Sequence, residues 1–166
     1  DPTYGEMVFK FIEHFYYIAA GINRSGPDGM WDDEDGFYYD LLRLPDGSAT
    51  RLKVRSMVGL LPLCASTVIE QAQRERVPKT MSAVHERLRR MPELSATMHP
   101  VGPNHYGVAG RTILALVNPE RLRRILTKML DENEFLSPYG IRALSKFHKH
   151  HPYVFRVDGH EHRVEY

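Results

Sequence analysis

Three groups of side chains in this sequence could do chemistry. The first is Arg55-Ser56, where the polar chain stops and residues 57–65 become almost wholly apolar. That run shows no polar face at either strand or helix period, and a helix apolar on every side is a buried one. It is far shorter than the roughly 20 residues a membrane span needs. Ser56 is a natural N-cap, so a buried helix is expected to begin with a cation and a hydroxyl at its mouth. A polar ligand could meet the core there. The plainer reading, that Arg55 only pairs with a carboxylate, carries equal weight.

The second group is the acidic run Asp32-Asp33-Glu34-Asp35, with Trp31 before it and Gly36-Phe37-Tyr38-Tyr39 after it. A calcium loop with Gly36 at its sixth position would put Trp31 first and Leu42 twelfth, and neither binds calcium. Two carboxylates could exchange protons, but a solvated acidic turn is the preferred reading. Trp31, Tyr38 and Tyr39 could stack on a sugar, although aromatics in a hairpin more often form core. The third group is His148, His150, His151, His160 and His162. Adjacent His150 and His151 point apart and no ligand spacing emerges, so neither a metal site nor a cofactor is expected.

Mostly helices would position these groups. Val8, Ile12, Phe15, Ala19 and Ile22 recur at steps of four and three, predicting a helix over 2–22. Phe9, Phe11, Tyr16 and Tyr17 widen its apolar arc toward a second neighbour. Asp35-Gly36 and Pro45-Asp46-Gly47 are turn signals, predicting a small β-hairpin insertion between helices. A short surface helix is expected over 79–91, then a long loop over 92–110. Residues 113–117 are a strand or buried coil. A helix follows over 119–133, with Leu122, Ile125, Leu126, Met129 and Leu130 inward and Arg121, Arg123, Arg124 and Lys128 outward. Residues 137–142 form a tight loop and 143–147 a single helical turn. A short C-terminal hairpin turns at Asp158-Gly159.

The balance of 22 Lys and Arg against 21 Asp and Glu supplies no global field for nucleic acid or an acidic membrane. The outward charges of 119–133 lack interleaved aromatics, which argues against a nucleic-acid patch. One cysteine, Cys64, allows no internal disulfide or zinc set. No signal peptide or membrane span is read, and a reducing, cytoplasmic compartment fits. The chain begins at Asp1-Pro2 and ends in mid-pattern at Val164-Glu165-Tyr166, so a segment of a longer polypeptide is expected, incomplete at both ends.

Four blocks resemble bacterial members of glycoside hydrolase family 63, the relatives of processing α-glucosidase and mannosylglycerate hydrolase. They are Trp31-Asp32-Asp33-Glu34-Asp35-Gly36-Phe37-Tyr38-Tyr39-Asp40 with Leu42-Arg43-Leu44-Pro45-Asp46-Gly47; the stretch 54–63; the stretch 135–145 containing Ser137-Pro138-Tyr139-Gly140-Ile141-Arg142; and 151–155 with 158–164. Residues 71–110 carry no such likeness. The resemblance implies a mainly α fold, part of an (α/α)6 toroid, with helix 2–22 outer, the helix after Ser56 inner and helix 119–133 outer. It implies an inverting α-glycosidase acting on an oligosaccharide or small glycoside. Arg55 and Ser56 would stand near the sugar pocket, with Tyr139 and Arg142 on a second wall and Trp31 as a further substrate contact. Inversion needs two carboxyls about 6.5–9.5 Å apart with a water between them. The family's acid and base lie in flanking segments that these residues do not match, so no catalytic residue is assigned and the chain alone is expected to be inactive. A partial toroid would leave apolar edges uncovered and self-associate, or meet the rest of a parent polypeptide. A different class, a stand-alone carbohydrate-binding or protein-interaction module stacking sugar on Trp31, Tyr38 and Tyr39, is the alternative.

Overall fold

The computed structural model describes residues 2–99, 106–157 and 159–166. Contacts divide the chain into two compact units, each built from two separate stretches.

The first unit comprises the chain up to Asn23 together with Ala65–Asn118. Helix α1 runs over Pro2–Ile22, as the apolar spacing predicts. It packs against α3 (Pro78–Arg90), which the short helix α2 (Gln71–Arg76) precedes. The two long helices approach closely where Gly5 leaves room for Thr80, whose hydroxyl donates to the Gly5 carbonyl at 3.2 Å. Farther along, Arg87 pairs with Glu13. Two strands lie antiparallel in the same unit, β5 (Ser66–Ile69) and β6 (Thr112–Ala115). Val68 and Ile69 have the β-branched shape that suits a pleated surface. Asn23 is fully buried and donates to the Leu116 carbonyl at 2.8 Å. The loop expected over 92–110 contains short 3-10 turns at Pro92–Leu94 and Val108–Gly110; its residues 100–105 lie outside the described residues.

The second unit comprises Arg24–Cys64 and Pro119–Tyr166. Its described residues form four two-stranded antiparallel sheets. Strand β1 (Trp31–Asp32) pairs with β2 (Phe37–Tyr38), and β3 (Asp40–Arg43) with β4 (Ala49–Leu52). Strand β7 (Leu136–Ser137) pairs with β8 (Gly140–Ile141), and β9 (Tyr153–Val157) with β10 (His160–Val164). The last pair is the expected C-terminal hairpin; Asp158 of its turn lies outside the described residues. Helix α4 (Pro119–Met129) is the one α-helix among the described residues of this unit.

This architecture corrects the mainly α expectation. Among the described residues five small sheets accompany the helices, a mixed α/β structure rather than a portion of an (α/α)6 toroid. The run read as a buried inner helix is a 3-10 helix, Met57–Cys64, with Pro62 inside it. Proline lacks the N–H that an α-helical bond needs and clashes with the preceding turn. Only Gly59 and Leu60 of that run are buried, while Met57, Val58 and Leu61 are exposed. Gly59 sits there because a Cβ would come within 2.3 Å of the Phe37 ring and 2.4 Å of the Tyr38 carbonyl oxygen. Helix α4 is also rotated from its expected setting. Ile125 and Arg121 are buried, whereas Leu122 and Leu130 are exposed. The single helical turn expected over 143–147 forms slightly later, as a 3-10 turn at Lys146–Lys149.

Candidate functional site

The β1–β2 hairpin begins the site. Its tight turn is held by Asp32, whose carbonyl accepts from Gly36 N–H at 2.8 Å and whose Oδ1 accepts from Asp35 N–H at 2.9 Å. Gly36 has φ of +63°, a conformation that favours glycine. The turn packs Trp31 edge-on to Tyr38 at 4.8 Å and sets Phe37 against Phe135 at 5.6 Å. The Arg121 guanidinium lies 4.6 Å over the Trp31 ring, a cation–π arrangement that explains why α4 turns Arg121 inward while Arg123 stays exposed. Trp31 is 1% exposed and its indole N–H is bonded to Asp33 Oδ1 at 2.7 Å. It is core, not an open stacking platform, and buried Tyr38 and Tyr39 share that fate.

The acidic run is a solvated turn only at Asp33 and Glu34, which are exposed; Asp32 and Asp35 turn inward. Asp32 is buried and faces Lys53 at 3.0 Å and Arg51 at 3.2 Å. Asp35 faces Lys53 at 3.2 Å and Arg55 at 2.9 Å. Burial pushes both carboxyls up, but stronger opposing contacts leave them below the ordinary range: the Asp35 N–H and Lys53 for Asp32, and Lys53, Tyr39 and Arg55 for Asp35.

Arg55 is the centre of this network, at 8% exposure. Its Nη1 reaches Glu134 Oε1 at 2.5 Å, its Nη2 Asp35 Oδ1 at 2.9 Å and its Nε the Tyr39 hydroxyl at 3.2 Å. The guanidinium carbon stacks 3.8 Å over Phe147. The Tyr39 O–H in turn donates to Asp35 Oδ2 at 3.0 Å, and burial pushes its phenol above the ordinary value. The backbone of Arg55 is held as firmly: its N–H donates to His148 Nε2 at 2.8 Å, and its carbonyl accepts from Ser145 N–H at 2.8 Å. The other ring nitrogen of His148 lies 2.8 Å from the His151 carbonyl, so the neutral tautomer with its proton on Nδ1 satisfies both sides. Ser145 Oγ donates to Glu134 Oε2.

Of the residues singled out in the sequence, Arg55 and Ser56 sit together at the start of the 3-10 helix. Ser56 Oγ accepts from Val58 N–H at 3.3 Å, the capping role its type suggests. Tyr139 and Arg142 sit together on the β7–β8 hairpin. Ser137 Oγ donates to the Gly140 carbonyl at 2.8 Å and accepts from Tyr139 N–H at 3.2 Å, which leaves Tyr139 at the tip, 99% exposed. Arg142 donates to the carbonyls of Glu132 at 3.1 Å, Glu134 at 3.4 Å and Leu136, and to the Tyr166 hydroxyl at 3.2 Å. No carboxylate among the described residues forms an ion pair with it. Glu134 therefore joins Arg55, by its carboxylate, to Arg142, by its carbonyl. Sequence reasoning missed the parts of Glu134 and Ser145, and singled out His148 only as one of a histidine group, not as the acceptor of the Arg55 N–H. A signal for the acidic partners was present: Arg51, Lys53 and Arg55 alternate as one face of an extended chain does, calling for acids opposite.

Among the described residues no group of three or more His, Cys, Asp or Glu side chains is placed to hold a metal ion. No helix among them is long and apolar enough to cross a membrane.

The chain is similar to an uncharacterized protein of Saccharomyces cerevisiae, 35% identical over 179 aligned positions that take in the whole chain and 16% of the yeast protein. It thus spans 16% of that relative's length. No family model matches the chain. No solved structure matches it.

Proposed function

We propose that this chain is the sugar-recognition part of an inverting α-glycosidase, holding neither the general acid nor the general base. One observation carries the reading. All four blocks that resemble the glycosidase family, 31–47, 54–63, 135–145 and 151–164, belong to the second unit, and the unlike stretch 71–110 belongs to the first. Three of the four blocks contribute directly to one network: Asp35 and Tyr39 from the first, Arg55 from the second, Ser145 from the third.

In this reading Arg55 is a positioning residue. Its guanidinium is committed to internal partners, and through Glu134 it holds the base of the Tyr139 hairpin. Tyr139 supplies the exposed aromatic face on which a sugar ring stacks, and Arg142 supplies a cation beside it whose present acceptors are neutral. A protein built this way needs no disulfide, and lone Cys64 accords with a reducing, cytoplasmic setting. The substrate class is an α-glucoside or related small glycoside.

Saturation-transfer NMR on the 166-residue chain with maltose and kojibiose tests the sugar contact. Transfer to ring protons is expected, and Tyr139→Ala should abolish it while the far-UV spectrum is unchanged. Absence of transfer with every α-glucoside would sink the reading. The reaction is tested separately on the whole protein in which this chain occurs. Proton NMR should show the β-anomer as first product from an α-glucoside, and an α-anomer first product would exclude inversion.

A further inference from the structure

The first unit contains a site of different character. Between α1, α3 and the β5–β6 pair lies a small chamber of about 30 Å³, walled by Ile12, Ile69, Val84 and Leu114. That is room for a water or a methyl-sized group. Tyr16 also lines it, at 3% exposure, and its hydroxyl has no hydrogen-bond partner among the described residues. A polar atom arriving in the chamber would be met by that hydroxyl. Burial alone pushes this phenol up to about 12, so it meets a ligand as O–H and not as phenolate.

Outside the chamber lies an open cleft of about 440 Å³ that shares Arg74, Met81, His85 and Tyr106 with it. Arg74 is half-buried at the junction. Its guanidinium donates to the carbonyls of Gly110 at 2.6 Å and Ile69 at 3.4 Å and to Thr112 Oγ1 at 3.1 Å, and it lies 4.4 Å over the Tyr106 ring. All three acceptors are neutral, which leaves two of its five N–H groups. No carboxylate among the described residues forms an ion pair with Arg74. The cation is oriented and stacked, and the one carboxylate among the residues lining the cleft, Glu75, accepts from Gln71 Nε2 at 2.7 Å. A charge-assisted bond to an arriving anion is worth roughly twice a neutral one.

We propose that this cleft binds a small amphipathic monocarboxylate. Its carboxylate meets Arg74, its apolar body lies against Met81 and Tyr106, and its far end reaches the Tyr16 hydroxyl in the chamber. The site belongs to the first unit and does not depend on the sugar-recognition reading of the second.

Isothermal titration of the 166-residue chain with phenylacetate and with its neutral analogue phenylacetamide tests this without any variant. Phenylacetate should bind at least about tenfold more tightly. Equal affinities, or no heat from phenylacetate up to about 10 mM, would overturn the proposal. The companion ligand 4-hydroxyphenylacetate should gain affinity over phenylacetate in the native chain and lose that gain in Tyr16→Phe. Arg74→Gln should abolish the preference for the acid over the amide; a preference that survives in a folded Arg74→Gln protein would place the anion elsewhere.

Discussion

Arg55 brings a charge, a ring contact and two backbone bonds to one point, and its partners are far away in sequence. Glu134 is 79 residues on and His148 is 93. Removing one member of a buried ion pair leaves the other uncompensated, at a cost of about 3–5 kcal/mol. Arg55→Ala should therefore lower the urea midpoint by that equivalent, whereas Tyr39→Phe, which removes only a hydroxyl, should cost about 1 kcal/mol. Lys128 behaves differently. Burial, then the nearby Arg55 charge, pulls its ammonium pKa below the ordinary value, so its charge opposes folding. Lys128→Met should leave the midpoint unchanged or raise it. The network also sets a pH limb. Asp32 and Asp35 ionise more readily in the folded chain than at the ordinary value of 3.8. Their contribution is complete above that value and is lost as pH falls through their lower folded values. Urea midpoints measured from pH 6 down to pH 2 should decline most steeply below about pH 4, and Asp35→Asn should make that decline shallower.

Elements were legible where one physical signal ruled them. Helix α1 was, because its apolar residues repeat over five turns, and so was the C-terminal hairpin. Near Ser56 two signals competed. Apolar composition spoke for a buried helix, while Pro62 and the need for Gly59 to lie against Phe37 gave a 3-10 helix with one open side. Adding a methyl group there forces the Phe37 ring and the Tyr38 carbonyl apart, so Gly59→Ala should cost at least about 1–3 kcal/mol, read from thermal unfolding. Helix α4 was legible in extent and wrong in rotation. Hydrophobicity alone turns Arg121 outward, but a guanidinium over an indole ring is stable inside. The candidate site was legible in part for the same reason. Arg55, Tyr139 and Arg142 stand out by type, whereas Glu134, Ser145 and His148 acquire their role only when distant stretches meet.

Across the whole molecule, apolar surface remains uncovered. Tyr4, Phe11 and Ile18 are exposed at intervals of seven along α1, with Met7 between them. Seven residues bring a helix back to nearly the same face, so these side chains form a seam of the kind a second helix covers. Sedimentation velocity should show concentration-dependent association of the chain, and Phe11→Glu should shift it to monomer; a native chain that stays monomeric at high concentration would count against an open seam.

The two units are interleaved, since the chain leaves the first after Asn23, returns at Ala65 and leaves again after Asn118. On a ribosome that pattern becomes a timetable. Helix α1 emerges before α3 and waits for it, more than fifty residues later, before its inward face has that neighbour. Arg55 waits longer still, until Glu134 and then His148 have been made. Nascent chains add about 5–20 residues each second, so an arginine destined for the interior spends several seconds without the partners that neutralise it. The second unit therefore closes late. A stop codon a few residues before His148 would release a chain with most of its strands but without the ring that receives the Arg55 N–H.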